Sequence, residues 1–284
     1  MPALGLALGL PYGKMGLGFT GALDAYTSGM VELYSPFRRL LASYTGNAIR
    51  VRRSSDNALA WIPFKADGTF DAVAYAAHVG GGNGFAHTVP GQLNARDQVQ
   101  ATAAAQPQIG VDGNGDYYLY APGAGFTTTS MRCTGLSLSL TDSTMWSVAG
   151  AAGYAFAPIG LRDNSAFVER NFVNYSNVLQ PNYTDSGSGT VASISGTNTS
   201  VYSTIWSVGA GGNKLSNRLS TTTGTRTSTP RTVNDLYIGV LNSGPSWAQN
   251  SPWYLSALWS EDKGASADFA ALATLGKTLI TAAQ

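Results

Sequence analysis

Six Trp and 14 Tyr make the aromatic side chains this chain's best means of holding a ligand. Trp247 lies between Ser246 and Ala248 in a stretch bounded by Pro245 and Pro252, with Trp253 and Tyr254 just behind it. A ring in such a loop offers a flat apolar face with a polar rim, which suits the face of a sugar. Trp247, Trp253 and Tyr254 are therefore the candidate carbohydrate-binding residues. Trp247 leads, because Trp253 and Trp259 alternate as residues of a buried strand do.

Acid chemistry and metal chemistry find less support. Asp112-Gly113-Asn114-Gly115-Asp116 places oxygens at alternate positions, as a calcium loop begins. That loop also needs Gly at its sixth position and Glu at its twelfth. Tyr117 and Gly123 stand there, so a β-turn between strands is expected. His78 and His87 have no ligand partner at helical or hairpin spacing, and no metal or other cofactor is expected. Cys133 is the one cysteine, which rules out an internal disulfide and reads as a buried strand thiol.

Arg38, Arg39, Arg50, Arg52 and Arg53 form a local basic run in a chain of formal net charge +1. They are expected to pair with carboxylates or carbonyls where the opening segment packs, rather than to bind phosphate. A nucleic-acid footprint is absent at the level of composition. The Gly/Leu-rich start, Met1 to Pro11, lacks a basic leader region and is too short to cross a bilayer. Leu4, Leu6, Leu8 and Leu10 read as an extended assembly arm within residues 1–30, docking on a neighbouring subunit. Residues 31–284 are then the domain proper.

Charged residues make up 12% of the 284, and 34 are Gly. Such a composition fits many short strands joined by tight turns better than a helical bundle. Ser35-Pro36 is a helix-start signal, and Phe37, Leu40, Leu41 and Tyr44 follow at helical spacing, so a short helix is expected there. Ala48 to Arg53 alternates as a strand, Ala66-Asp67-Gly68 is a turn, and Phe70 to Val79 is a second helix closed by Gly80-Gly81-Gly82. Strands are then expected at Tyr117–Tyr120, Leu136–Leu140, Met145–Val148, Ala166–Val168 and Val201–Val208, with a hairpin or loop at 184–200. Leu236 to Val240 and Trp253 to Ser260 are the closing strands. In the last, Trp253, Leu255, Ala257 and Trp259 should share one face and Tyr254, Ser256, Leu258 and Ser260 the other. Ser266-Ala267-Asp268 starts a C-terminal helix whose apolar face is Phe269, Leu272, Leu275 and Leu279. Together these define a mainly β chain, a jelly-roll sandwich with a short N-terminal helical segment and a C-terminal helix.

Phe37 to Gly46 running into Asn47–Asn57 resembles the N-terminal signature of the α-L-arabinofuranosidase B catalytic domain. The same signature occurs in bacteriophage and prophage structural proteins with a concanavalin A-like (laminin G-like) sandwich. Gly80 to Phe85, Asn94 to Asp97 with Gln100 to Thr102, Gln106-Pro107, Tyr237 to Gly239 and Trp253 to Asp262 extend the resemblance over roughly residues 35–284. It implies the concanavalin A-like fold. Where the family usually carries Tyr-Asp-Gln-Ser-Gly-Asn-Gly, this chain reads Thr88-Val89-Pro90-Gly91-Gln92-Leu93-Asn94. A glycosidase needs two carboxylates facing across the sugar bond, yet no Asp or Glu lies between Asp185 and Asp235. Glu169 falls near the nucleophile segment, but Arg170 beside it reads as an ion-pair partner. The resemblance therefore implies a non-enzymatic, homo-oligomeric virion component: a fibre, tail appendage or capsid-surface protein. It would join other virion proteins through its arm and present a lectin-like domain to a host-surface glycan, with no membrane or nucleic-acid partner. A glycoside hydrolase and a stand-alone carbohydrate-binding module are the competing expectations.

Overall fold

The computed structural model describes residues 19–122, 126–127, 129–150, 158–163, 171–175, 178–182, 192–195, 201–217, 220–225, 227, 230–239, 247–248 and 251–281. The first strands are β1 (Met30–Tyr34), β2 (Ile49–Arg53) and β3 (Leu59–Ile62), followed by helix α1 (Ala72–Val79). Next come β4 (Gly84–Val89), β5 (Gln98–Val99), β6 (Gln108–Val111) and β7 (Tyr117–Tyr120). The middle adds β8 (Phe126–Thr127), β9 (Met131–Leu140), β10 (Ser143–Gly150), β11 (Gly160–Arg162), β12 (Asn171–Tyr175), β13 (Val178–Asn182) and β14 (Ile194–Ser195). The last third supplies β15 (Val201–Gly209), β16 (Gly212–Ser216), β17 (Thr221–Gly224), β18 (Arg231–Ile238), β19 (Trp247–Ala248), β20 (Trp253–Trp259) and helix α2 (Ala267–Leu279).

Two antiparallel half-sheets carry the architecture. One runs β11-β18-β9-β5-β4, with β2 and then β3 attached to β4; the other runs β7-β20-β10-β15-β16-β17, with β1 also on β20. Strand β6 joins them by pairing with β4 at Phe85↔Gln108 and with β7 along its length. Ile49, Val51, Ala86, Met131, Cys133, Leu236 and Ile238 of the first half meet Met145, Trp206, Val208, Leu215 and Leu258 of the second in one core. The second half buries its other face as well. Trp146, Ile205, Leu255, Ala257 and Trp259 pack there under Phe269, Leu272 and Ala273 of α2 and under Leu23, Leu40 and Leu41. Each such side chain contributes about 1.5–3 kcal/mol by leaving water, and this two-sided burial is why every residue of β20 is buried.

Local signals operate where the elements are local. Asp71 caps α1 by accepting from the N–H groups of Val73 and Ala74, and Gly80 closes it in the left-handed conformation, φ 58°. Ser266 precedes α2 as expected, although its hydroxyl donates back to the Lys263 carbonyl (2.9 Å) rather than capping the helix. Phe269 and Leu272 face the sheet.

The helix expected at 35–45 does not form. Its backbone groups, which must find partners, find them elsewhere. Gln92 Nε2 donates to the carbonyls of Ser35 and Arg38 (both 2.8 Å), and Gln92 Oε1 accepts from Leu40 N–H (2.8 Å). Arg39 N–H donates to the Gly68 carbonyl and Phe70 N–H to that of Phe37. The apolar spacing has another cause: Phe37 enters the core between the half-sheets, while Leu40 and Leu41 enter the outer layer. Within the expected arm, Leu23 is fully buried and Met30 opens β1, so residues from 19 onward pack on the sandwich. Leu4, Leu6, Leu8 and Leu10 lie outside the described residues, as do Ala166–Val168 and most of 184–200.

Strand β20 also departs from strict alternation. Val148 pairs with Leu255 and Ala149 with Trp253, which leaves Tyr254 as an extra residue in a β-bulge. One extra residue reverses every side chain beyond it. Trp253 consequently joins the inner core, whereas Tyr254, Leu255, Ala257 and Trp259 belong to the outer layer.

Candidate functional site

The bulge decides the fate of two of the three candidate sugar-binding residues. Trp253 is fully buried, and its indole N–H donates to Ser256 Oγ (2.8 Å). Tyr254 is buried too; its hydroxyl donates to Asp112 Oδ2 (3.2 Å) and its ring lies against Tyr118, centroids 5.8 Å apart. Burial first and then Asp112 hold that phenol well above its usual pKa. Neither ring is available to a ligand, because both fill space between packed layers. Trp247 forms a backbone pair with Thr127 in the short β19–β8 ladder; its side chain is outside the described residues.

Among the described residues, the buried carboxylates already have their partners. Glu32, fully buried, accepts from Arg96 Nη1 at 2.5 Å and from the Tyr34 hydroxyl at 2.9 Å. Burial outweighs those contacts and raises its pKa. Burial, reinforced by Glu32, holds the Tyr34 phenol far above its usual range, and burial also pushes the Cys133 thiol up. Asp235 pairs with Arg132 at 2.6 Å. Asp112 turns the β6–β7 connection by accepting from the N–H groups of Asn114 (2.8 Å) and Asp116 (3.0 Å), with Gly115 at φ 85°. The expected β-turn is thus present, and among the described residues no three His, Cys, Asp or Glu gather as metal ligands. Glu169 lies outside the described residues. The Glu32–Arg96–Tyr34 network had one sequence signal, a Glu inside the apolar run Met30-Val31-Glu32-Leu33-Tyr34.

Most of the basic run also has partners in the fold. Arg38 pairs with Asp116 (3.3 Å) and Arg53 with Asp56 (2.6 Å). Arg39 donates to the Ala66 carbonyl, and Arg52 to Gln106, Asn57 and the Ala103 carbonyl. Arg50 differs: its guanidinium lies over the Trp61 ring, 5.7 Å from the centroid. His78 Nε2 is 3.2 Å from the Val51 carbonyl, and His87 Nδ1 is 2.8 Å from Thr88 Oγ1.

An open cleft of about 240 Å³ forms where four segments far apart in sequence meet. Phe37 and Arg38 come from the strand-like stretch that Gln92 holds open. Lys65, Thr69 and Phe70 come from the turn before α1, Asp116 and Tyr117 from the Asp112 turn, and Ile280 from the end of α2. Phe37 meets Phe70 edge-on (5.2 Å, 89°), Phe70 lies 4.9 Å from Tyr117, and Tyr75 supports Tyr117 from 5.9 Å. Over this aromatic base, Arg38 and Asp116 form the polar rim. Asp116 Oδ2 also accepts from Thr281 N–H (2.9 Å), so both its oxygens are engaged and it is a hydrogen-bonding anchor rather than an acid. Spacing along the chain gives no sign of this cleft.

The half-sheets, their shared core and the helix over one face define an antiparallel, mainly β sandwich of the concanavalin A-like kind. A variant GH54 α-L-arabinofuranosidase soaked with 4-nitrophenyl α-L-arabinofuranoside matches it with a TM-score of 0.61 at 18% identity. That match covers 91% of this chain and 66% of the enzyme's. An arabinofuranosidase complexed with arabinofuranosyl-α-1,2-xylobiose matches with a TM-score of 0.60 at 17% identity, over 91% of this chain and 65% of its own. This chain thus spans just under two thirds of the length of those enzymes, and at such identity the likeness is one of fold. No protein-family model and no curated protein matches the sequence.

Proposed function

We propose that this chain is a non-enzymatic bacteriophage virion protein, a fibre, tail-appendage or capsid-surface component, whose lectin-like sandwich binds a glycan. The observation that carries the binding reading is the Phe37–Phe70–Tyr117 cleft with its Arg38–Asp116 rim. Phe37 and Phe70 are buried and back the half-exposed Tyr117 ring, which with the Arg38–Asp116 rim offers one ring face and fixed polar groups to one sugar unit. The lack of enzymatic activity is supported by the engagement of Glu32, Asp116 and Asp235 with arginines, which leaves none of them poised as an acid or nucleophile. The virion setting rests on the signature-like run Phe37–Asn57 and the weakly charged composition.

A glycan array on the whole purified protein tests the first part: binding of neutral glycans is expected, and Tyr117→Ala should abolish that binding. Mass spectrometry of purified particles, looking for this chain among the virion proteins, tests the second. Release of 4-nitrophenol from an arabinofuranoside by the wild type, lost in Glu169→Gln, would overturn the non-enzymatic reading in favour of a hydrolase.

A further inference from the structure

We infer that the open face of the first half-sheet carries a second ligand surface, a strip that binds an acidic polysaccharide through arginine and tryptophan side chains. The strand register sets one row of facing residues across this half-sheet. Trp61 pairs with Arg50, Arg50 with Thr88, Thr88 with Val99, and Val99 with Arg132. Inward neighbours Ile49, Val51, Ala86, Met131 and Cys133 lie in the core, so this row faces outward. Four strand spacings give it a length of about 19 Å from Trp61 to Arg132.

The row is exposed towards its ends, while Thr88 at its middle is buried (5% exposed) between Arg50 and Val99. Trp61 is 43% exposed, Val99 38%, and the Arg132 side chain 44%. Trp61 stands on β3, which pairs only with β2 among the described residues. Arg38, Arg53, Arg96 and Arg132 each have a carboxylate. Arg50 has none among the described residues, and Arg52 in the next row bonds only to amide and carbonyl oxygens. Both guanidiniums stack on rings, Arg50 on Trp61 and Arg52 on Phe85 (4.5 Å). Arg52 already commits Nε, Nη1 and Nη2 to Gln106, Asn57 and the Ala103 carbonyl, so Arg50 is the guanidinium that can offer N–H groups to a carboxylate or sulfate. His87, on the β4 bulge beside Arg50, is kept below its usual pKa by burial and then by that arginine. Among the described residues no carboxylate pairs with Arg50 there.

The ligand class follows from charge density. A duplex carries a negative charge about every 1.7 Å, far more than two un-neutralised guanidiniums in a chain of net charge +1 can match. An acidic polysaccharide carries its charges more sparsely, between sugar faces that can lie on an indole. The length of the row suits several sugars in line.

Calorimetric titration of the whole protein with an oligogalacturonate, its fully methyl-esterified counterpart, a sulfated oligosaccharide and a DNA oligonucleotide tests the inference. The acid or sulfated form should bind at least tenfold more tightly than the neutral ester and lose affinity as salt rises. Arg50→Gln should weaken that binding about tenfold, the scale of a lost charge-assisted hydrogen bond. Arg50→Lys should fall between, and Trp61→Ala should weaken acid and ester alike. Tyr117→Ala, in the cleft, should leave acid binding unchanged, so the strip and the cleft can fail separately. Equal binding of acid and ester, no binding of either acidic probe, preference for the oligonucleotide, or indifference to both Arg50 variants would each overturn it.

Discussion

The two half-sheets share a core and differ in what covers their other faces. Behind β20, β10 and β15 lie α2 and the segment from Leu23 to Leu41, so that half is buried on both sides. Over β3, β2 and β4 the cover is thinner: Trp61 is exposed, Arg50, Arg52 and Phe85 are half-buried and Thr88 is buried, where the covered half has Trp146, Ile205 and Trp259. Indole rings thus have opposite roles on the two sides. A tryptophan in the covered half is structure, and one in the open half is free to meet a ligand. Composition alone cannot separate them, since what differs is whether another layer lies above.

The sharpest way to break this contrast is to truncate a ring on the covered side. Trp259 is fully buried, and its indole N–H donates to the Tyr26 carbonyl at 2.8 Å. Trp259→Ala should cost about 3–5 kcal/mol, a large share of the roughly 5–15 kcal/mol that holds a domain folded. Urea denaturation would measure it, and a loss below 1 kcal/mol would mean that the helix does not seal that face.

Glu32→Gln should come next, at about 1–3 kcal/mol. Arg96 then loses its carboxylate, but its side chain is 40% exposed and can turn to water, which limits the damage. The same residue has a pH signature. Its folded pKa lies above the unfolded value, so the folded state holds a proton that the unfolded state has already released. Glu32 therefore contributes most stability below its unfolded pKa, near 4.3, and that contribution is lost as pH rises through the folded value. Urea midpoints measured across that acidic range should fall with rising pH in the wild type by more than in Glu32→Gln. Parallel curves would show that Arg96 and Tyr34 fully offset the burial.

What the sequence reveals divides along the same line between local and distant partners. Helix α1, with Asp71 before it and Gly80 after it, and the closing β20–α2 unit are legible because their signals sit within a few residues of one another. The segment 35–45 has an equally clear helical signal and is not a helix. Gln92 and Gly68, its hydrogen-bonding partners, lie too far along the chain for any window to weigh them. Trp253 faces the inner core, opposite to strict alternation, because of one residue of bulge, a feature of the β10 pairing that β20 does not display by itself. The cleft is not legible and Glu32 is marked only by its place in an apolar run, because the cleft and the Arg96 pairing exist only once segments many tens of residues apart have met.

Asp71→Ala is expected to cost about 1 kcal/mol, since it removes the two capping contacts to Val73 and Ala74. Loss of the cap loosens the helix before β4 and leaves the covered half alone, so hydrogen exchange should quicken in α1 and not in α2. Uniform quickening would mean that the two halves open together.

The smallest effect on stability should come from the ring most useful for binding. Trp61→Ala removes an indole that is 43% exposed and lies under the Arg50 guanidinium, and surface changes of this kind stay within about 0.5 kcal/mol. Trp61 and Trp259 are chemically the same side chain on the same fold. If the open face is a surface kept for a ligand, their truncations should differ several-fold in stability and in the opposite sense for acidic-glycan affinity. A large loss of stability in Trp61→Ala, read in the same urea experiment, would mean that β3 is held by its indole and that Trp61 is a structural residue like Trp259.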